Sequence, residues 1–104
     1  MPRIGFVVLY RWRVHAGMEE SFVEAWSRIS EGLLTRSGSL GSRLHKGEDG
    51  VWYSYAQWPS KEARELAFSG VPADVSAIAQ IEAAIAERLP EINLEPVSDF
   101  LVSG

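Results

Sequence analysis

The order of apolar patterns along the chain predicts an α+β domain of the form β-α-β-β-α-β, built on a four-stranded antiparallel sheet. Three observations carry this reading. The runs around residues 5–14 and 51–58 alternate in period two with large side chains in both registers. Each is followed by a stretch of helical period, and an Asp49-Gly50 turn joins the two middle strands. At 104 residues and 46% hydrophobic, the chain is expected to form one domain over residues 1–104, with one core and little apolar surface to spare.

The first strand covers residues 5 to 14, with Phe6, Val8, Tyr10, Trp12 and Val14 on one face and Val7, Leu9, Arg11 and Arg13 on the other. His15-Ala16-Gly17 breaks the pattern, and Glu19 and Glu20 set negative charge in the first turn of a helix, where it complements the dipole. Met18, Phe22, Trp26, Ile29 and Leu33 recur at helical spacing, with Glu20, Glu24, Arg28, Glu31 and Thr35 opposite. Glu24 and Arg28 can pair at i,i+4. Ser37-Gly38-Ser39-Leu40-Gly41 ends this helix and reverses the chain. A strand from about Ser42 to Lys46, a Gly47-Glu48-Asp49-Gly50 loop and a strand from Val51 to Trp58 complete a hairpin. Trp52, Ser54, Ala56 and Trp58 share one face of that last strand, and Val51, Tyr53, Tyr55 and Gln57 the other.

Pro59-Ser60 stops the strand and caps a short helix from Lys61 to Ser69, closed by Gly70. Val71-Pro72-Ala73-Asp74 restarts helix with Asp74 as cap, and Ile78, Ile81, Ile85 and Leu89 form its buried stripe up to Pro90. The last strand is expected from about Glu95 to Val102, with Pro96 at an edge or just outside the sheet.

Composition removes several functions. The net charge of −4, without any Lys/Arg cluster, lacks the electrostatic footprint of nucleic-acid or anionic-membrane binding, so neither partner is expected. No apolar run is long enough to cross a bilayer, and Met1-Pro2-Arg3 runs into the first strand without a signal-peptide pattern. The absence of cysteine excludes disulfides, thiolate metal sites and thiol nucleophiles, and fits a reducing compartment; a cytoplasmic location is expected.

This order of elements is ferredoxin-like, with both helical regions on one face of the sheet. The other face is then bare. Val7, Leu9, Tyr53 and Tyr55 would stand there in water. Covering them offers on the order of 6 to 12 kcal/mol gross, at roughly 1.5 to 3 kcal/mol per large side chain. A second copy of the sheet is the expected cover, making a homodimer with Arg11 and Arg13 at the same interface; the alternative cover is loops and the C-terminal tail.

The run Tyr10-Arg11-Trp12-Arg13-Val14-His15-Ala16-Gly17-Met18-Glu19-Glu20, the helix with Phe22 and Trp26, and Trp58-Pro59-Ser60-Lys61-Glu62-Ala63 together resemble the antibiotic biosynthesis monooxygenase family over nearly the whole chain. In that family the first strand commonly closes in Pro-Gly, where this chain has Ala16-Gly17; the Trp-x-Ser-x-Glu-Ala pattern is matched at Trp58 to Ala63. The resemblance implies a dimeric α/β barrel with a pocket in each subunit between helices and sheet. It also implies oxygenase chemistry without metal or organic cofactor, in which a deprotonated electron-rich phenol or quinol itself reduces oxygen.

Such a site wants aromatic walls, a proton acceptor and a donor or cation for the developing oxyanion. Tyr10, Trp12, Trp26, Trp52, Trp58 and Phe68 are the candidate walls, though each taken alone is more often an ordinary core or interface aromatic. Trp58 stands where the resemblance places a pocket tryptophan. His15, His45 and Tyr10 are the candidates for proton transfer; neither histidine has a carboxylate at a telling spacing. Arg11 and Arg13 face away from the helices, where an arginine more often meets a carboxylate than a substrate. The haem-degrading branch carries an asparagine in the first strand and an axial histidine after the tryptophan; this chain has no such asparagine, and Phe68 near the histidine position. Haem chemistry is therefore disfavoured, and the lack of grouped His, Cys and carboxylates argues against zinc or non-haem iron. A non-catalytic dimeric small-molecule binder of the same fold is the second reading, since fold alone does not choose between them.

Overall fold

Alternation and helical period place the elements largely where their apolar side chains can meet. The computed structural model describes residues 3–70, 72 and 74–101. The elements are β1 (Phe6–Val14), α1 (Glu19–Arg36), β2 (Ser42–Lys46), β3 (Trp52–Trp58), α2 (Lys61–Ala67), α3 (Val75–Ala84) and β4 (Ile85–Leu94). The readings at Met1-Pro2, Val71, Ala73 and Val102 lie outside the described residues. The strands form one four-stranded antiparallel sheet in the order β2-β3-β1-β4, the expected ferredoxin-like arrangement.

The local signals act as read. Ser60 Oγ accepts from Ala63 N at 3.0 Å and Asp74 Oδ1 from Ala77 N at 2.9 Å, capping α2 and α3. Arg28 pairs with Glu24 at 3.5 Å and, more tightly, grips both carboxylate oxygens of Asp74 at 2.8 and 3.0 Å, which pins α1 to the start of α3. In the hairpin, Asp49 Oδ1 accepts from Val51 N at 3.0 Å and Gly50 takes φ +81°, which a side chain would resist. Gly5 donates to Trp58 O at 3.0 Å, so close to β3 that a Cβ there would collide with the Pro59 carbonyl. The core gathers where β1, α1 and α3 meet: Trp12, Phe22, Ala25, Ile81 and Ala84 are buried, with Met18, Trp26 and Ile29 against them.

The C-terminal third departs from the sequence reading. The last strand is Ile85–Leu94, not Glu95–Val102, and α3 ends at Ala84, so Ile85 and Leu89 belong to the sheet and not to a helical stripe. No loop separates the two: Ala84 O accepts from His15 N at 2.9 Å and Ile85 is already extended. Pro90 lies inside β4, where the expectation made it a helix stop. It is tolerated because β4 is an edge strand and because the register breaks there: Leu9 opposes Ile92 but Arg11 opposes Leu89, leaving two residues of β4 beside Tyr10. The Arg11 guanidinium donates to the Pro90 carbonyl at 2.7 and 3.1 Å across this bulge.

Residues 95–101, expected as strand, run without regular structure beside the helix-free face, where they share a groove with Ile4, Val7 and Tyr55. Val7, expected to stand in water, is therefore only 3% exposed within a single chain. Leu9, Tyr53 and Tyr55 are half-buried. Arg13 pairs with Glu87 at 3.3 Å across the β1–β4 register. Among the described residues no helix is long and apolar enough to cross a membrane.

Candidate functional site

On the helix-facing side β3 offers Ser54 and Ala56 between Trp52 and Trp58. Two small side chains amid large ones leave volume unfilled. The result is a cavity of about 200 Å³ between the sheet, α1 and α3, with Phe68 at the end of α2 on its wall. Tyr10, Trp12, Trp26, Trp58 and Phe68 give it aromatic walls, and Ile29, Leu33, Ile78, Ile81 and Ile85 complete the apolar lining. Ser30, Ser39, Ser42 and Ser54 add hydroxyls, and Glu82 and Arg88, ion-paired with each other, add the charges. An apolar cavity of roughly 150 Å³ takes a benzene-sized guest, so this one suits one or two fused rings.

Trp58 is 1% exposed and packs edge-on against Phe68, with ring centroids 6.0 Å apart. Its indole nitrogen is fully buried and has no hydrogen-bond partner among the described residues. Leaving such a donor unmade costs about 1–3 kcal/mol, a cost the chain carries beside the cavity. The Trp26 indole, by contrast, donates to Ser54 Oγ at 3.1 Å.

Tyr10 stacks on Trp12, with centroids 5.8 Å apart and planes 7° from parallel. Its hydroxyl accepts from Arg64 Nε at 3.2 Å, while Arg64 also binds Glu91 at 2.8 Å and lies over the rings of Tyr10 and Phe68. Burial pushes the Tyr10 hydroxyl above the usual phenol range, the Arg64 charge and hydrogen bond oppose it, and Glu91 adds to the rise. Tyr10 is thus a protonated donor at neutral pH. Burial also works against the Arg64 charge, but Glu91 and Tyr10 outweigh it and leave the guanidinium firmly protonated.

The candidate walls Trp12, Trp26, Trp58, Phe68 and Tyr10 come together at this cavity. Trp52 does not: it sits opposite Trp12 at the other end of β3, edge-on to Phe22 at 5.4 Å and beneath the Lys46 ammonium, in the core and not on the wall. His15 is exposed in the turn after β1. His45 is exposed on β2 and lines a groove with Leu9, Tyr55 and Leu101 on the opposite face. Neither histidine reaches the cavity. Among the described residues no three His, Cys, Asp or Glu side chains gather as a metal site. Sequence reasoning did not find Arg64, Glu91, Glu82 or Arg88. The small pair Ser54 and Ala56 marked the space that Glu82 and Arg88 border, whereas Arg64 and Glu91, joined to Tyr10, left no local trace.

A family model described as antibiotic biosynthesis monooxygenase matches residues 5–70. No curated protein sequence matches the chain. Among solved structures, a monooxygenase from the gene ActVA-Orf6 of Streptomyces coelicolor, in complex with nanaomycin D, is 24% identical, with a TM-score of 0.75 covering 99% of this chain and 96% of that one. SnoaB from Streptomyces nogalater, a cofactor-independent oxygenase, is 14% identical, with a TM-score of 0.76 covering 94% and 98%. Rv0793 from Mycobacterium tuberculosis is 14% identical, with a TM-score of 0.73 covering 92% and 98%. At these identities the likeness is one of fold.

Proposed function

Since the chain belongs to the antibiotic biosynthesis monooxygenase family, we propose that it is a cofactor-independent monooxygenase-like enzyme of the reducing cell interior, acting on a small aromatic or quinol-type compound in the Trp58 cavity. The aromatic-walled cavity that Trp58 lines with Tyr10, Trp12, Trp26 and Phe68 carries the reading. In the reaction inferred here a quinol and O2 give a hydroxyquinone and water: the substrate supplies all four electrons, one oxygen atom enters the ring and the other leaves as water. The protein's part is to exclude water, orient the ring and hold the developing oxyanion on donors.

One observation favours the second reading, a non-catalytic binder of the same fold: both histidines lie outside the cavity, and the carboxylate that borders it, Glu82, is engaged with Arg88. The two readings part in one experiment. Metal-free protein is mixed with hydroquinone and with 1,4-naphthohydroquinone, following oxygen uptake against heat-denatured protein and tryptophan fluorescence in parallel. Accelerated uptake with hydroxyquinone as product, reduced in Trp58→Phe, is the expected result. Saturable quenching without uptake gives the binder, and neither signal sinks the pocket.

We further propose the homodimer. Leu9 and Tyr55 are half-exposed on the face without helices, and Phe100 of the tail beside them is 94% exposed. A second copy would remove these side chains from water.

A further inference from the structure

Tyr10 lines the cavity, and the chain has built a support for its hydroxyl. Tyr10 OH accepts the Arg64 Nε–H at 3.2 Å, which occupies a lone pair and leaves the hydroxyl proton free to point elsewhere. Among the described residues it donates to no protein acceptor, and the ring from which it projects lines the cavity. Arg64 is fixed from both sides: Glu91 holds its other nitrogen at 2.8 Å, and the Tyr10 and Phe68 rings lie about its guanidinium at 5.5 and 5.4 Å. Glu91 reaches this place because the β4 bulge sets an extra residue beside Tyr10. Phe68, on the same cavity wall, packs on Trp58 while lying against Arg64.

We propose that the Tyr10 hydroxyl, positioned by Arg64 and Glu91, donates a hydrogen bond to the bound molecule and makes the pocket selective for aromatic compounds bearing an oxygen acceptor, a carbonyl or a phenolate, over their plain hydrocarbon counterparts. The inference rests on the pocket reading above and names the chemistry that pocket selects. Arg64 acts through Tyr10: its Nε–H fixes the direction of the hydroxyl and polarises it, while its charge is largely neutralised by Glu91, so a neutral carbonyl is accepted as well as an anion.

The test uses 1-tetralone and tetralin, which have the same two-ring frame with and without one carbonyl. Their binding to the full-length protein is followed by tryptophan fluorescence. Wild type is expected to prefer 1-tetralone by about fivefold, the worth of one hydrogen bond. Tyr10→Phe keeps the ring stacked on Trp12 and should bring that ratio down towards one. Arg64→Gln should lower it as well, with recovery in Arg64→Lys. A merely structural Arg64 would weaken both ligands alike and leave the ratio where it was, which overturns the proposal. Equal binding of both ligands to wild type overturns it too while leaving the pocket in place. If neither ligand binds, the pocket reading falls and this inference falls with it.

Discussion

The Trp26 indole donates to the Ser54 hydroxyl at 3.1 Å, a bond that ties α1 to β3 at the wall of the cavity. Ser54 is itself 2% exposed, so its hydroxyl needs that partner as much as Trp26 does. Ser54→Ala is expected to cost about 1 kcal/mol in chemical denaturation, with little change in structure, because the half-buried Trp26 can turn to water. Ser54→Leu is the sharper change. It fills cavity space with a side chain that cannot accept from Trp26, so 1-tetralone quenching should disappear while the circular dichroism stays that of the wild type.

The fold was legible wherever the signal was local. Ser60 and Asp74 were readable as caps because a side-chain oxygen and an amide three residues on suffice to define one. The Asp49-Gly50 hairpin needed only its own residues. The β4 strand was not readable because Ile78, Ile81, Ile85 and Leu89 fit helical spacing as they stand, and what makes a strand of Ile85–Leu94 is pairing with β1, more than 70 residues earlier. Pro90 looked like a terminator for the same reason: its tolerance depends on a bulge that exists only in the assembled sheet. The site divides in the same way. The inward faces of β1 and β3 showed the aromatic walls, whereas the Tyr10–Arg64–Glu91 cluster joins residues 54 and 27 positions apart and has no local trace.

Tyr10 should contribute to the alkaline side of the stability profile. Burial raises its pKa above the usual value of 10.0, so the folded state holds the phenol proton more tightly than the unfolded chain does. That contribution is fully present below about pH 10 and is lost as pH rises through the folded value. Removing Arg64 removes an opposing influence. Arg64→Gln is therefore expected to shift tyrosinate formation at Tyr10 to still higher pH, read by Tyr ring-carbon NMR, and Tyr10→Phe should flatten the alkaline limb of the denaturation curve.

Asp74 has the opposite sign. The Ala77 N–H is the largest influence holding its carboxyl below the usual carboxylate range, and Arg28 adds to it. The stabilisation is therefore present at neutral pH and is lost as pH falls through the carboxylate range toward the depressed folded value. Asp74→Asn keeps an N-cap acceptor but gives up the charge paired with Arg28. It should lower the melting temperature at pH 7 by less than Asp74→Ala does, and its melting temperature should fall less steeply on acidification than that of the wild type.

The homodimer makes the most demanding prediction, because a two-fold interface meets every substitution twice. Leu9 sits on the helix-free face beside Tyr55 and Leu101, in the same strand as Arg11 and Arg13. Leu9→Lys would place a further cation on a face that already carries Arg11, Arg13 and Arg43 in each copy. Losing two buried leucines alone removes about 3–6 kcal/mol from association, more than a hundredfold in the dimer constant. The side chain points away from the core, so the variant should keep the wild-type circular dichroism and sediment as a monomer at concentrations where the wild type is a dimer. Phe100→Ser tests the tail on the same readout and should weaken association less, since a residue outside regular structure loses more freedom on being ordered at an interface. A wild type that stays monomeric from micromolar to millimolar concentration would return the covering of this face to the chain's own tail, as Val7 already shows for one corner of it.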